Sequence, residues 1–284
     1  MSNREQLIEI FQDTEKWCKE DEKLAEAVRR AQKDTKVYGE DARPKLPSSK
    51  EGRMTEVTVT ADRSFQAAMR LKKEDPTMCV AVHNFASATN PGGGVTRGST
   101  AQEECLCRCS TLYPVLNTRS LREQYYDFHR QRRDVRYTDT CIYSPGILII
   151  KTDTNMPQRL PEAEWCPVDV ITCAAPNLRE KPNNAMNPGS DMAVRVTDKE
   201  LLELHKKRAR HMLAVAAANG SEILVLGAFG CGAFQNKPEI VARAYKEIIP
   251  EFQGQFARIE FAVYCPPRDD RNYEVFRRVL GKLN

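Results

Sequence analysis

Two adjacent carboxylates, Glu103 and Glu104, follow closely after three consecutive glycines, Gly92 to Gly94. A carboxyl group that is partly buried beside another one has a raised pKa, as a general acid near neutral pH requires. Residues without a Cβ atom let backbone N–H groups approach an anion very closely. These residues therefore indicate acid catalysis beside a bound phosphate group.

The same acidic pair also has a purely structural interpretation. Thr100 and Glu103 have the spacing of a capping box, and carboxylates in a first helical turn interact favourably with the helix macrodipole. Two carboxylates beside a phosphate-holding loop would repel the anion, however, unless they are aimed at ribose hydroxyls or at the bond being cut. The context favours catalysis, with helix capping as the alternative.

A strand, a turn and a helix are needed to position these residues. The apolar run at residues 78–83 predicts a strand, and Asn90, Pro91 and the glycines cannot continue it. The next helix is predicted to begin near Ser99 or Thr100, because apolar residues follow at helical spacing. The two glutamates would then lie in its first turn, beside the glycine loop.

A second glycine loop, GAFGCGAFQN, occupies residues 227–236, between a predicted strand at 223–226 and a helix that begins near Pro238. The N-terminus of that helix would direct partial positive charge toward the loop. A nicotinamide-dinucleotide site is the rival, but its glycine loop belongs in the first βαβ unit, whereas this loop lies in the last third of the chain. Phe229 and Phe234 are candidates for stacking on a ligand, with simple packing as the alternative.

The two loops together resemble a known family. Three glycines, seven residues and then Gln102-Glu103-Glu104 resemble the GGG…QEE signature of poly(ADP-ribose) glycohydrolases, and the flanking NFASATNPGGG and ECLCRCSTLYPVL are similar to its compact bacterial form. Residues 227–236 resemble the second phosphate loop of that family. The resemblance implies an α/β fold, namely a three-layer α/β/α macrodomain-like mixed sheet with an N-terminal helical extension, and no cofactor or metal.

The resemblance also implies roles for individual residues. Glu104 would be the general acid and Glu103 would hold ribose hydroxyls, while Phe234 would press on the distal ribose. The other residues implied in substrate binding belong to the two loops, their flanks and the QEE motif: Asn84, Asn90, Gly92, Gly93, Gly94, Gln102, Gly230, Cys231, Gly232 and Ala233.

Composition limits the partners. The chain has 284 residues and a net charge of +4, too small and dispersed an excess to indicate nucleic-acid binding, and we expect no direct sequence-specific contact with nucleic acid. Ten cysteines without a leader sequence predict a reducing, cytoplasmic location. No CxxC pair with a nearby histidine predicts a metal site, and no apolar run is long enough to span a membrane.

The order of patterns predicts two parts, an N-terminal helical extension and linker at 1–50 and a catalytic domain at 51–284. Within the second part, a helix is expected at 121–133, with His129 on a solvated face, and separate strands at 141–143 and 147–151. The asparagine- and proline-rich segment 177–190 predicts a surface loop, either a lid or a plain connection.

The predicted activity is hydrolysis of ribose–ribose O-glycosidic bonds in poly(ADP-ribose) or ADP-ribosylated protein, with ADP-ribose as product. Phe234 is expected to block the space into which a further chain would run, so cleavage should proceed from the chain end. A mono-ADP-ribosyl hydrolase, a non-catalytic ADP-ribose-binding macrodomain and an unrelated nucleotide-binding oxidoreductase are the alternatives.

Overall fold

A computed structural model describes residues 2–49, 52, 54–183, 192–266, 269–281 and 283. Its centre is a mixed sheet of seven strands in the order β1-β4-β5-β3-β6-β7-β2. The strands are β1 (Lys36–Tyr38), β2 (Glu56–Thr60), β3 (Val80–Phe85), β4 (Cys141–Ile149), β5 (Cys166–Cys173), β6 (Ile223–Leu226) and β7 (Arg258–Ala262).

Strands β5, β3, β6, β7 and β2 run parallel to one another, so their carboxyl ends meet at one edge of the sheet. The other two strands are antiparallel, β4 to β5 and β1 to β4. Ligands of open α/β sheets bind outside the carboxyl ends of the parallel strands. Both glycine loops follow such ends, after β3 and after β6.

The prediction of separate strands at 141–143 and 147–151 was wrong. Cys141–Ile149 is one strand, whose register against β5 shifts between Ser144 and Ile147. Pro145 and Gly146 lie in this irregularity, and Gly146 has φ +68°. A bulge tolerates the proline and the left-handed glycine that a regular ladder would exclude.

Helices cover both faces of the sheet. They are α1 (Asn3–Glu20), α2 (Glu22–Asp34), α3 (Ser64–Glu74), α4 (Gln102–Cys109), α5 (Leu112–Leu116), α6 (Arg119–Leu121), α7 (Phe128–Arg132), α8 (Asp198–Ala218), α9 (Pro238–Ile248) and α10 (Arg271–Leu280). One core cluster joins the sheet to α1–α5, and a second joins it to α8–α10, which gives the three layers.

The N-terminal helices brace the loop that follows the first glycines. Helix α1 is capped at its N-terminus, because Ser2 and Glu5 make a capping box. Arg4 Nε then donates to Arg97 O at 2.6 Å, and Thr14 Oγ1 donates to Arg108 O at 2.7 Å. Strand β1 adds the edge of the sheet, so the chain joins the sheet ahead of residue 50; the division at that residue stays a prediction.

The predicted helix at 121–133 consists of α6, one π-helical segment (Arg122–Asp127) and α7. His129 does not lie on a solvated face, because it is only 2% exposed. Its ring nitrogens lie 2.8 Å from Tyr125 O and 2.9 Å from Thr138 Oγ1, and burial lowers the pKa of His129 to about 4. The arginines around His129 made this stretch of sequence look solvent-exposed, although the histidine faces the core.

Residues 184–190 of the predicted 177–190 loop lie outside the described residues, so the lid prediction remains a prediction. Among the helices that the structure describes, none is long and apolar enough to cross a membrane.

Candidate active site

A cleft of about 850 Å³ lies along the carboxyl edge of the parallel strands. Its wall includes residues that lie one or two positions after four neighbouring strands: Ala175 after β5, Ala86 after β3, Ala228 after β6 and Val263 after β7. Three strand spacings of about 4.8 Å make this edge about 14 Å long. The cleft is therefore an elongated site shaped for an extended ligand.

The first glycine loop turns directly against the carboxylates. Gly93 has φ +58° and its N–H donates to Asn90 O at 2.9 Å. A Cβ atom at Gly93 would lie 2.5 Å from Glu104 Oε1 and 3.1 Å from Glu103 Oε2. Glycine is therefore required here on two grounds, the left-handed backbone and the carboxylates that occupy the space of a side chain.

The capping interpretation of the acidic pair was wrong. Helix α4 begins one residue later than the capping box required, and its N-cap residue, Ala101, has no side-chain capping bond. Glu103 instead accepts hydrogen bonds from the backbone N–H of Ser87 at 2.7 Å and from Asn84 Nδ2 at 3.4 Å. Its carboxylate is thus fixed to the end of strand β3 rather than to its own helix.

Glu104 is held on one side only. Its Oε1 accepts from the backbone N–H of Gly94 at 2.8 Å, whereas its buried Oε2 has no hydrogen-bond partner in the part of the chain that the structure describes. Glu104 also lines the cleft. One oxygen is anchored by the glycine loop, and the other remains available to a ligand.

Burial controls the protonation of the pair. Glu103 is 3% exposed and Glu104 is 7% exposed. Burial raises the pKa of both carboxyls, and the neighbouring charge of Glu104 raises the pKa of Glu103 further. Groups this strongly coupled titrate as a pair, so a proton is retained between them at a higher pH than in an isolated carboxyl.

The second glycine loop is built differently. Gly230 has φ +75°, and a Cβ there would lie 2.5 Å from Ala175 Cβ and 2.7 Å from Asn236 Nδ2. Asn236 Nδ2 donates to Pro176 O at 2.7 Å, and Asn236 Oδ1 lies 2.8 Å from His205 Nε2. A Cβ on Gly232, by contrast, would meet nothing within 4 Å. The ends of this loop, at Gly230 and Asn236, are fixed by packing and hydrogen bonds. Its crest, at Gly232, is open to the cleft.

The two aromatic candidates have different environments. Phe229 is 2% exposed and packs with its ring centroid 4.4 Å from that of His83. Phe234 is partly exposed, lines the cleft, and lies between Tyr137, at 6.3 Å between ring centroids, and the guanidinium of Arg179, at 5.7 Å. Phe229 is thus mainly a packing residue, and Phe234 presents its ring to the cleft.

The structure brings most of the predicted site residues to the cleft wall. The glutamates, the glycines at 93, 94, 230 and 232, and also Gln102, Ala233 and Phe234 line it. Gln102 is occupied as well, because its Oε1 accepts from Phe85 N at 2.8 Å and its Nε2 donates to His83 O at 2.7 Å. It holds the end of β3 in place.

Four predicted residues lie behind the wall and not on it, as far as the described residues define the cleft. Asn84 donates to Glu103, and Asn90 Nδ2 donates to Gly93 O. A Cβ on Gly92 would lie 2.7 Å from the ring of Tyr113, and Cys231 directs its thiol to Phe229 O at 3.7 Å. Their contacts support the two loops from behind.

The sequence interpretation missed several residues of the wall. The Arg63 guanidinium lies 3.9 Å from the centroid of the Tyr264 ring, and both residues border the cleft beyond β7. Asp153 also lines it; its buried Oδ1 has no hydrogen bond among the described residues but lies 3.9 Å from Arg63 Nη1, and burial raises the pKa of Asp153. Tyr264 could have been found as an aromatic residue just after the final strand. The other two have no comparable signal.

Within the described residues, no group of three or more histidine, cysteine, aspartate or glutamate side chains is arranged to hold a metal ion.

Comparison with known proteins identifies relatives over most of the chain. The family model for the microbial-type PARG catalytic domain matches residues 5–152. The crystal structure of poly(ADP-ribose) glycohydrolase from Thermomonospora curvata is 32% identical, with a TM-score of 0.85 over 98% of this chain and 100% of that one. The enzyme from Deinococcus radiodurans in complex with ADP-ribose is 36% identical, with a TM-score of 0.76 over 90% of this chain and 98% of that one.

A search of curated proteins gave no match. The family match covers more than half of the chain, and the structural matches cover nearly all of it. A cleft with paired buried carboxylates between two glycine loops agrees with both results. The chain therefore belongs to the microbial-type poly(ADP-ribose) glycohydrolase family and is a glycosidase.

Proposed function

We propose that this chain hydrolyses the ribose–ribose O-glycosidic bonds of poly(ADP-ribose), with Glu104 as general acid and then general base. The observation that carries the proposal is the half-anchored carboxylate of Glu104. Glu104 lines the cleft; Gly94 N–H holds one of its oxygens, and the other is buried and has no hydrogen-bond partner among the described residues. A proton held at that oxygen is available to a leaving group.

The shape of the cleft supports ADP-ribose as the bound unit. Its volume of about 850 Å³ is within the range of small-ligand sites, and its length suits a base and a ribose joined through a diphosphate. The distal ribose would lie between the glutamates and Phe234. The diphosphate would lie against the second glycine loop, near Gly232, and the base would lie toward Tyr264.

The mechanism follows from this placement. Glu104 donates a proton to the glycosidic oxygen as the bond to C1″ breaks through an oxocarbenium-like state. The same carboxylate then accepts a proton from the attacking water. Glu103, fixed by Ser87 and Asn84, orients the ribose hydroxyls. Contacts to the diphosphate supply binding energy away from the reacting carbon, which holds the sugar in position.

We also propose that cleavage proceeds from the chain end and releases ADP-ribose. Phe234, which lines the cleft beside Tyr137, is the residue that we expect to control where the chain is cut. The substrate is free poly(ADP-ribose) or ADP-ribosylated protein, without sequence-specific contacts to nucleic acid. The expected location is the cytoplasm.

The decisive experiment is incubation with automodified poly(ADP-ribosyl)ated protein, followed by separation of the products by size. Early appearance of monomeric ADP-ribose is expected, and the Glu104→Gln protein is the matched control. Early oligomeric products would contradict end-wise cleavage. Cleavage of only the protein-linked unit would move the protein to the mono-ADP-ribosyl hydrolases. Tight ADP-ribose binding without any product would make it a non-catalytic reader.

A further inference from the structure

Arg179 lies at the ribose end of the cleft, next to the aromatic ring of Phe234. Its Nε donates to Ala233 O, and its guanidinium carbon lies 5.7 Å from the centroid of the Phe234 ring. Arg179 also lines the cleft and is partly exposed. The arginine is therefore fixed at its inner end, and its terminal nitrogens point away from that anchor.

The segment that carries Arg179 is firmly attached. Leu178 N donates to Phe234 O at 3.0 Å, and Asn177 N donates to Val135 O at 2.8 Å. These hydrogen bonds form one rim, which joins residues 177–179 to Ala233 and Phe234 of the second loop and to the segment that begins at Val135. An arginine held by such a rim has a defined position relative to a ribose that contacts Phe234.

In the part of the chain that the structure describes, no acidic group pairs with Arg179. Within the described residues, no carboxylate lies within salt-bridge distance of it, whereas Arg136 on the same rim pairs with Asp134 at 2.8 Å. An unpaired arginine that lines a ligand cleft is suited to bind a phosphate, since its guanidinium presents several N–H donors in a fixed plane.

The diphosphate of the bound unit already has candidate partners in the N–H groups at the crest of the second glycine loop. The ribose near Phe234 carries hydroxyls and no charge. The next anion is the diphosphate of the unit joined to C1″, which is the leaving part of the polymer. We propose that Arg179 binds this diphosphate and so makes the enzyme prefer a polymer to substrates without an onward anionic chain. This inference rests on the proposed function.

The test compares two substrates with the same bound unit. One is long poly(ADP-ribose), and the other is ADP-ribose that carries an uncharged fluorogenic aryl group at C1″. In Arg179→Gln, which retains a donor for Ala233 O but removes the charge, kcat/KM on the polymer should fall about fivefold, as expected for a partly exposed charge-assisted hydrogen bond. For the aryl substrate it should change less than twofold.

Two further variants separate charge from structure. Arg179→Lys retains the charge and should recover most of the polymer rate. Arg29→Gln removes the same charge from α2, outside the cleft wall, and should leave both rates unchanged. Raising the salt concentration should weaken the polymer preference of the parent more than that of Arg179→Gln.

An equal loss on both substrates, or an equal loss of ADP-ribose affinity, would assign Arg179 to the bound unit and overturn the inference. Unchanged rates on both substrates would overturn it as well. If the parent protein cleaves neither substrate, the proposed function itself fails, which is a different result.

Discussion

The two glycine loops look alike in the sequence and differ in the structure. Residues 91–95 of the first loop are buried, whereas Gly232 and Ala233 of the second are exposed. The first loop faces protein carboxylates, because a Cβ on Gly93 would strike Glu104. The second loop faces open space at Gly232. One glycine run thus positions the acid, and the other leaves room for a ligand.

This difference shows that a glycine motif alone does not tell what its glycines are for. Gly93 is needed even without a ligand, since both its backbone angle and its neighbours exclude a side chain. The protein itself does not exclude a side chain at Gly232. We therefore expect the glycine to matter there for the binding of a ligand. Substitutions in the two loops should therefore fail in different ways.

The largest effect is expected for the acid that the first loop holds. In Glu104→Gln the amide oxygen can still accept from Gly94 N–H, and the NH₂ group replaces Oε2, which lacks a partner among the described residues. The variant should fold, bind ADP-ribose with little change and lose turnover by about 100-fold or more, because it cannot deliver a proton. Single-turnover release of ADP-ribose from modified protein, with a parallel binding titration, measures this.

Near-parental turnover in Glu104→Gln would remove Glu104 from the catalytic role. Glu103→Gln is a less clean control. Both Glu103 oxygens accept hydrogen bonds, from Asn84 and from Ser87, so an amide NH₂ would face a donor on one side. We expect Glu103→Gln to lower the free energy of unfolding by about 1–3 kcal/mol and to lose activity as well.

The second prediction sets the loops directly against each other. Gly93→Ala should lower the free energy of unfolding by about 1–3 kcal/mol and turnover by about tenfold, because it strains the backbone and displaces Glu104. Gly232→Ala should leave stability within about 0.5 kcal/mol and weaken ADP-ribose binding about threefold or more. Thermal unfolding and calorimetric titration of both proteins check this. Equal stability losses at both positions would contradict the proposed division of labour.

The sequence was sufficient for the order of elements and for the acidic pair. Strand β6 and the start of α9 lie where the sequence predicted them. It was not sufficient to place Asp153 and Arg63, because these residues reach the cleft only through tertiary packing. His129 shows the same limit, since a local excess of arginine says nothing about which side of a short helix faces the core.

The third prediction concerns the aromatic residue at the crest of the second loop. Phe234→Ala should widen the cleft at this point, because it removes the ring that lies beside Tyr137 and Arg179. We expect the products to shift toward longer fragments, with total turnover reduced about tenfold or less. Gel separation of products over time is the measurement. A product ladder identical to that of the parent would exclude Phe234 from control of cleavage position.

The smallest effect is a pH dependence of stability, which comes from the burial of the carboxyl that the first loop holds. Burial raises the pKa of Glu104 in the folded protein above its ordinary value. At a pH below the ordinary carboxyl pKa of about 4.3, this carboxyl is protonated in both states and costs no stability. As the pH rises, the unfolded chain ionises first, so stability is lost until the pH passes the raised pKa of the folded state.

Glu104→Gln lacks this loss of stability and also relieves the repulsion that raises the pKa of Glu103. The melting temperature of the variant relative to the parent should therefore increase from pH 4 to pH 8, by about 2–4 °C. A melting-temperature difference that stays constant over this range would mean that Glu104 titrates as an ordinary carboxyl. The first loop would then position a carboxyl whose pKa is not shifted.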